Sequence, residues 1–344
     1  RLFRYVLEEG RNIDEFLIIT YTRAAAAELR SRIAGDLGKQ LAQRPGDYHL
    51  QQQLYRIYRA DIKTVDSFCS ALLRENIHLL QTGDGPALTA DFRVLEEGEA
   101  DLLRQRVLAR TLEQFYGTME EGDGSSQLAD AYGFGRDDRA LEELVLRMSE
   151  KLQSHAYPDK WLREMEAMWQ NLPDSIDDTP YAAVLKEALG RKADHWQRQL
   201  RQCVTEMAGE AVLEKAYCPG FLHYAEGLGS LANAGNIPWD QVSAAVTAAE
   251  RLKPTPNVTD DLLKKRMEAV WNAIKEEVKR AAEVFAVSDG EAMEDLRAVA
   301  PAMCALLKLT EDYEHAYQLE KRRRNAADFS DQEHYAILLL LGED

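Results

Sequence analysis

The sequence predicts a mainly α protein with a small α/β part, and three observations carry that reading. Two short apolar runs, Phe16–Thr20 and Ala60–Val65, each lead into a helical pattern, giving the β–α–(α)–β–α order of a parallel sheet. From about Phe92 onward only helical periodicity is visible, with no trusted strand pattern and no repeat of fixed period. The helical stretches are long, as expected of a large all-helical insertion into the α/β part.

Taken in order, Leu2–Glu9 reads as the tail of an amphipathic helix closed by Gly10. Phe16–Thr20 is continuously apolar, the pattern of a strand buried on both faces. Ala24–Leu37 is an alanine-rich helix able to pack closely on a sheet, and Gln40–Tyr58 is helical after an interruption at Pro45-Gly46. Ser67–Leu80 is a second helix ending before the turn Thr82–Pro86. Helices follow at Glu97–Tyr116, Arg139–Leu152, Ala182–Ala211 and Asp260–Phe285. Loops lie around Gly117–Ser126, Asn171–Thr179 and Leu252–Thr259, the last marked by Pro254 and Pro256. Asp328–Leu341 is amphipathic. Two strands cannot form a sheet that stands alone, so the chain is expected to be a fragment of a larger domain. The helical opening at Arg1-Leu2-Phe3-Arg4 reads as a cut end.

Apolar residues make up 45% and charged residues 29% of the 344 positions, a globular and not a disordered composition. No apolar run approaches the roughly 18 residues of a membrane span. Cys69, Cys203, Cys218 and Cys304 share no CxxC spacing, which argues against zinc or iron–sulfur ligation and suits a reducing cytoplasm. The seven histidines are dispersed, and no metal or Ser/His/Asp constellation can be assembled. The net charge of −17 argues at first against a polyanionic partner. Yet residues 1–80 hold 12 Lys/Arg and 10 Asp/Glu, a balance of +2, so the acid excess lies in the remainder. Local field governs a groove.

The chemistry gathers at the two strand–helix junctions, because ligands of open parallel sheets sit beyond the carboxyl ends of the strands. At the first, Thr20 and Thr22 can donate to phosphate oxygens, and Tyr21 can stack on a base. Arg23 would stand in the first turn of a helix, where a cation is locally unfavourable unless an anion visits. The competing reading makes Thr22 an ordinary N-cap and Tyr21 a half-buried ring. The second junction, Lys63-Thr64-Val65-Asp66-Ser67-Phe68-Cys69, repeats the layout with Thr64 and Ser67; there Asp66 reads as an N-cap, and Phe68 and Cys69 as core. Two such junctions on one sheet edge suggest a shared track for a polyanion.

Other features have plainer readings. Lys321-Arg322-Arg323-Arg324 is expected to be a solvated helix face, and Asp328 and Asp331 to cap a helix. Trp161, Trp169, Trp196, Trp239 and Trp271 are expected in the core of the helical region. The sequence has no GxxxxGK[ST] phosphate loop.

The stretch Leu17–Ile33, with Thr20-Tyr21-Thr22-Arg23-Ala24-Ala25-Ala26-Ala27-Glu28, resembles motif Ia of the UvrD/RecB-like superfamily 1 helicases. Ile62–Cys69 resembles the following Thr-x-His-x-Phe box, and Asp328-Phe329-Ser330-Asp331 the DFxD box that precedes Walker B. Ala90-Asp91-Phe92-Arg93-Val94 with Glu96 and Glu99, the stretch Tyr132–Asp138 with Leu141 and Leu144, and Lys321–Asp331 are most similar to the AddA family of helicase–nuclease proteins. Three positions depart from the pattern: Tyr21 stands for the commoner Phe, Arg23 for Asn, and Asp66 for His. The last puts a direct DNA contact at that position in doubt.

The resemblance implies a partial RecA-like domain 1A at residues 1–85, a helical 1B domain at 86–320, and a return to 1A at 321–344. It implies a bacterial parent that uses ATP and Mg²⁺ to move 3′→5′ along single-stranded DNA, unwinding it in double-strand-break repair with an exonuclease elsewhere in the protein. It also implies an AddB-type partner. Walker A would end a few residues before Arg1 and Walker B would begin just after Asp344, so the fragment itself would be inactive. Thr20, Tyr21, Thr22, Arg23, Thr64 and Ser67 are the expected DNA contacts. A UvrD- or PcrA-type helicase without nuclease, and a helical protein-interaction module, are the alternatives.

Overall fold

The apolar run after Phe16 does become a strand, and the two junctions do share a sheet edge. A computed structural model describes residues 1–82, 85–86, 88–133, 138–250 and 262–342. In chain order the elements are α1 (Leu2–Leu7), β1 (Leu17–Thr20), α2 (Arg23–Gln43), α3 (Tyr48–Arg56), β2 (Asp61–Thr64) and α4 (Val65–Asn76). Then come β3 (Gln81–Thr82), β4 (Gly85–Pro86), β5 (Arg93–Val94), α5 (Glu97–Thr118), α6 (Gly124–Tyr132), α7 (Arg139–Gln153) and α8 (Pro158–Gln170). The helical series continues with α9 (Pro180–Glu206), α10 (Ala211–Leu231), α11 (Trp239–Glu250), α12 (Leu262–Val284) and α13 (Asp289–Arg323), before β6 (Ala326–Ala327) and α14 (Phe329–Leu341). The mainly α character with a small parallel α/β part is as the sequence predicts. Among the described residues no helix is long and apolar enough to cross a membrane.

Two compact units are present. One comprises Arg1–Glu121, Ala129–Glu164 and Leu306–Asp344; the other comprises Gly122–Leu128 and Met165–Ala305. In the first, β1 and β2 pair in parallel with Leu17 opposite Asp61 and Thr20 opposite Thr64. Helix α2 covers one face of this pair: Ala26 and Ile33 pack with Ile62 and Ile18, and the cluster continues through Leu50 and Ile57 of the α3 segment. Leu17 and Ile19 point to the other face and are exposed, so the expectation of a strand buried on both sides fails. Side chains alternate across a strand, and among the described residues α2 covers only the Ile18 side.

The structure also contains strands that sequence reading missed. Beside the two-residue antiparallel β3–β4 pair, β5 and β6 pair in parallel through Arg93–Ala326 and Val94–Ala327. Asn325, at φ 46°, turns the chain from α13 into β6. Asparagine tolerates that left-handed backbone better than most residues because its short amide bonds locally. Here the Asn325 amide bonds to Thr89 and Asp91, which ties the turn to the β5 side. The turn read at Thr82–Pro86 includes residues 83 and 84, and the break at Leu252–Thr259 lies wholly outside the described residues, as do residues 134–137 of the Tyr132–Asp138 stretch.

The basic run does not behave as a solvated face. Lys321 is only 2% exposed, and its ammonium lies 3.0 Å from Asp328 and 2.7 Å from Asp331, over the ring of Tyr317. Asp328 caps α14, with its side chain accepting from the Asp331 N–H and the Asp331 side chain accepting from the Asp328 N–H, so both acids cap as expected. Burial raises the Asp328 carboxyl, but the Lys321 ammonium and local hydrogen bonds outweigh it and hold the group below the usual range. Burial wins at Asp331, which is pushed up. Nearby, Glu314 accepts from Ser149 and Gln153, and burial raises its carboxyl too.

The second unit is a helical core. Tyr217, Phe221 and Tyr224 of α10 surround Trp271 of α12, with Phe221 stacked on it at 5.4 Å, and Trp239 lies 4.5 Å from Phe285. Only Trp239 and Trp271 of the five tryptophans are fully buried. Trp196 is partly buried against this core; Trp169 is half-buried, and Trp161 stacks on His155 in the first unit, so the expectation of five core tryptophans is too generous. The helix expected to reach Ala211 ends at Glu206, because Gly209 takes a φ of 97° and the chain restarts as α10.

Candidate nucleic-acid interface

The register of the parallel pair sets Thr20 and Thr64 side by side at its carboxyl edge. At the first junction the chain leaves β1, and Thr22 caps α2 by accepting from the Ala25 N–H at 3.1 Å. Its carbonyl accepts the Ala26 N–H and the Thr20 hydroxyl. The Thr20 proton is therefore engaged within the loop, while the Thr22 hydroxyl can still donate outward. The N–H groups of Arg23 and Ala24, in the first turn, have no intrahelical acceptor. Tyr21 is 98% exposed, which removes the half-buried reading of its ring, and Arg23 is exposed beside it. A ring, a guanidinium, a hydroxyl and free amides thus share one surface at the positive end of a 21-residue helix.

The second junction differs from its sequence reading in one respect. Thr64, not Asp66, is the N-cap: it accepts from the Ser67 N–H at 3.2 Å and donates to the Ser67 hydroxyl at 2.8 Å. The last strand residue doubles as the cap, so Asp66 falls inside the first turn, where its charge suits the helix dipole. Thr64 was expected as a contact, but it is only 5% exposed with its hydroxyl committed. It holds the junction and does not face solvent. Ser67 retains a proton to donate and is partly exposed. Cys69 is buried as expected, its thiol pushed up by burial, whereas Phe68 is only half-buried. Replacing Thr64 by valine is expected to cost about 1–2 kcal/mol, the worth of an N-cap, measurable by urea denaturation; a loss below about 0.3 kcal/mol would contradict this capping role.

The structure therefore brings all six expected residues to one edge, but with different work. Tyr21, Thr22, Arg23 and Ser67 offer outward groups, whereas Thr20 and Thr64 are spent on the backbone and on Ser67. Sequence reading missed Arg30, whose guanidinium bonds the carbonyls of Ala60 and Ile62 at 3.3 and 3.0 Å and so ties α2 to β2. The available signal was its helical spacing from Ala26 and Ile33, which puts it beside the buried face of α2.

Comparison with known proteins agrees with this architecture. The sequence matches the family described as UvrD/REP helicase N-terminal domain over residues 1–344. It is 31% identical to AddA, the ATP-dependent helicase/nuclease subunit of Heliobacterium modesticaldum, over 98% of this chain and 25% of that protein. It is 33% identical to the protein of the same name from Desulfitobacterium hafniense, over 99% of this chain and 25% of that protein. The Desulforudis audaxviator protein of that name is 32% identical, over 96% of this chain and 27% of its own length. The chain spans about a quarter of the length of these curated relatives. With a parallel strand pair, paired strand–helix junctions and a match along its whole length, this chain belongs to the UvrD/REP helicase N-terminal domain family.

Proposed function

We propose that this chain serves as the DNA-gripping part of an ATP-dependent helicase–nuclease of the AddA type. Such a protein moves 3′→5′ on single-stranded DNA and unwinds it during double-strand-break repair in the bacterial cytoplasm, with an exonuclease elsewhere in the parent. The observation that carries the DNA-binding reading is the fully exposed Tyr21 beside Arg23 at the N-terminus of α2. A base can stack on the ring while the flanking phosphates meet the guanidinium, the Thr22 and Ser67 hydroxyls and the free amides. Residues 1–85 and 321–344 would belong to domain 1A and residues 86–320 to domain 1B. An AddB-type protein is the partner that the names of the relatives suggest.

The residues of this chain do not fit ATP and Mg²⁺. The sequence has no phosphate loop, and among the described residues no three His, Cys, Asp or Glu side chains gather into a group that could hold a metal ion. Nucleotide chemistry therefore belongs to other parts of the parent, and the isolated chain is expected to bind DNA without hydrolysing ATP.

Titrating the chain into a fluorescent oligo(dT) at low salt is the direct test. Anisotropy should show weak binding whose logarithm falls with log salt by about 0.7 for each phosphate contact. No binding at low salt would overturn the reading and favour a helical protein-interaction module.

A further inference from the structure

A second surface of the first unit has the chemistry of a nucleic-acid contact and lies apart from the Tyr21 edge. Helix α3 and the residue after it turn Leu50, Leu54 and Ile57 into the core around α2. The opposite side carries Tyr48, Tyr55 and Tyr58, which are 71%, 80% and 76% exposed. Tyr48 and Tyr55 are two helical turns apart and so share a stripe, about 10 Å long at 1.5 Å per residue. Tyr58 follows just past the end of the helix, with Gln51 between the first two rings and Arg59 at the end, all exposed.

Charge points the same way. Residues 37–60 contain four Lys/Arg and one acid, Asp47, in a chain of net charge −17. Asp47 is spent as the cap of α3. Lys39 and Arg56 pair with Asp36 and Asp14. The guanidiniums of Arg44 and Arg59 have no acidic partner among the described residues.

A solvated helix face would carry Lys and Glu, and a protein-docking face would present aliphatic side chains. This stripe offers rings with polar tips, an amide and unpaired guanidiniums, and no carboxylate. Rings take bases by stacking regardless of sequence, and guanidiniums take phosphates. The roughly 10 Å between Tyr48 and Tyr55 matches about three stacked nucleotides at 3.4 Å.

We infer that the Tyr48–Tyr55–Tyr58 stripe along α3 is a second single-stranded DNA contact. It rests on the reading of the chain as a DNA-binding part of a helicase. It is not an extension of the first contact. Arg56 at the end of α3 bonds Asp14 before β1, and Ala60 leads into β2, so the stripe stands near the amino-terminal end of the strand pair. Tyr21 stands at the carboxyl end, about 13 Å of strand away. A short oligonucleotide would occupy one contact, and a long one both.

The test compares oligo(dT) of about 6 and about 24 nucleotides, lengths either side of typical single-strand site sizes, on the full chain. In the Tyr48→Ala/Tyr55→Ala/Tyr58→Ala variant the long oligonucleotide should lose at least about tenfold in affinity. Arg44→Glu/Arg59→Glu, which leaves every core residue in place, should flatten the salt slope for the long oligonucleotide by about 1.4. Photo-crosslinking with 5-iodouracil oligonucleotides should place adducts on the α3 stripe as well as at Tyr21. Unchanged long-oligonucleotide affinity and slope in both variants, or adducts confined to the Tyr21 edge, would overturn the second contact and leave the first standing. If instead Tyr21→Ala binds normally while the α3 variants do not, the stripe stands and the Tyr21 track fails.

Discussion

Replacing Lys321 by alanine is expected to destabilise the first unit by about 3–5 kcal/mol at neutral pH, the usual cost of leaving a buried charge unpaired. The ammonium serves two buried carboxylates, Asp328 and Asp331, and also packs on Tyr317. Both acids cap α14, so their loss of a counter-ion also loosens the start of that helix. The pH dependence identifies the cause. In the native protein the depressed Asp328 contributes stability above the ordinary aspartate range, lost as pH falls through its lowered value. The raised Asp331 contributes in the opposite sense, favouring the fold below the ordinary range and losing that contribution as pH rises through its raised value. Without Lys321 both carboxyls should rise, so the deficit of Lys321→Ala relative to the native protein should narrow as pH falls into the carboxylate range. Urea denaturation followed by circular dichroism across that range measures it. Adding Asp328→Asn and Asp331→Asn to Lys321→Met should recover most of the loss, because a neutral cluster leaves no buried charge. A deficit under about 1 kcal/mol, or one that widens in acid, would contradict the buried triad.

Tyr21→Ala should weaken single-stranded DNA binding by about 1–3 kcal/mol, roughly 5- to 150-fold, the range for one stacked base. Stability should stay within about 0.5 kcal/mol, because the ring is almost wholly in solvent. Arg23→Ala should separate binding from stability in opposite directions. Removing a cation from the first turn of α2 should stabilise the helix by a few tenths of a kcal/mol. The same change should weaken DNA binding and reduce the salt slope by about 0.7. Anisotropy titrations at several salt concentrations, with thermal denaturation of the same samples, read both effects. Equal affinity and slope in both variants would sink the proposed track.

Much of this could be read from the chain before its fold was known, and the exceptions have physical causes. The two strand–helix junctions were legible because a short apolar run that breaks on Thr-x-Thr or Thr-x-Asp-Ser has few other local solutions. Thr22 as a cap was weighed at that point, but Thr64 was passed over for Asp66, because a strand residue that also caps leaves no separate signal. The β5–β6 pair escaped because strands of two residues have no period, and their partners lie more than 200 positions apart. Lys321 was misread because composition favours the surface for a basic run; the two acids that make its burial tolerable follow in sequence but meet it only when α13 folds against the start of α14.

Periodicity, capping residues and the local charge balance of residues 1–80 were enough to specify a parallel strand pair, its two helices and the chemistry at their shared edge. These are properties of neighbouring residues, which sterics and hydrogen bonding settle within a few positions. Which hydroxyls face solvent, which lysine is buried and which tyrosines line one stripe depend on contacts between distant segments. The free energy of burying a charge or exposing a ring belongs to its surroundings, and those exist only after packing.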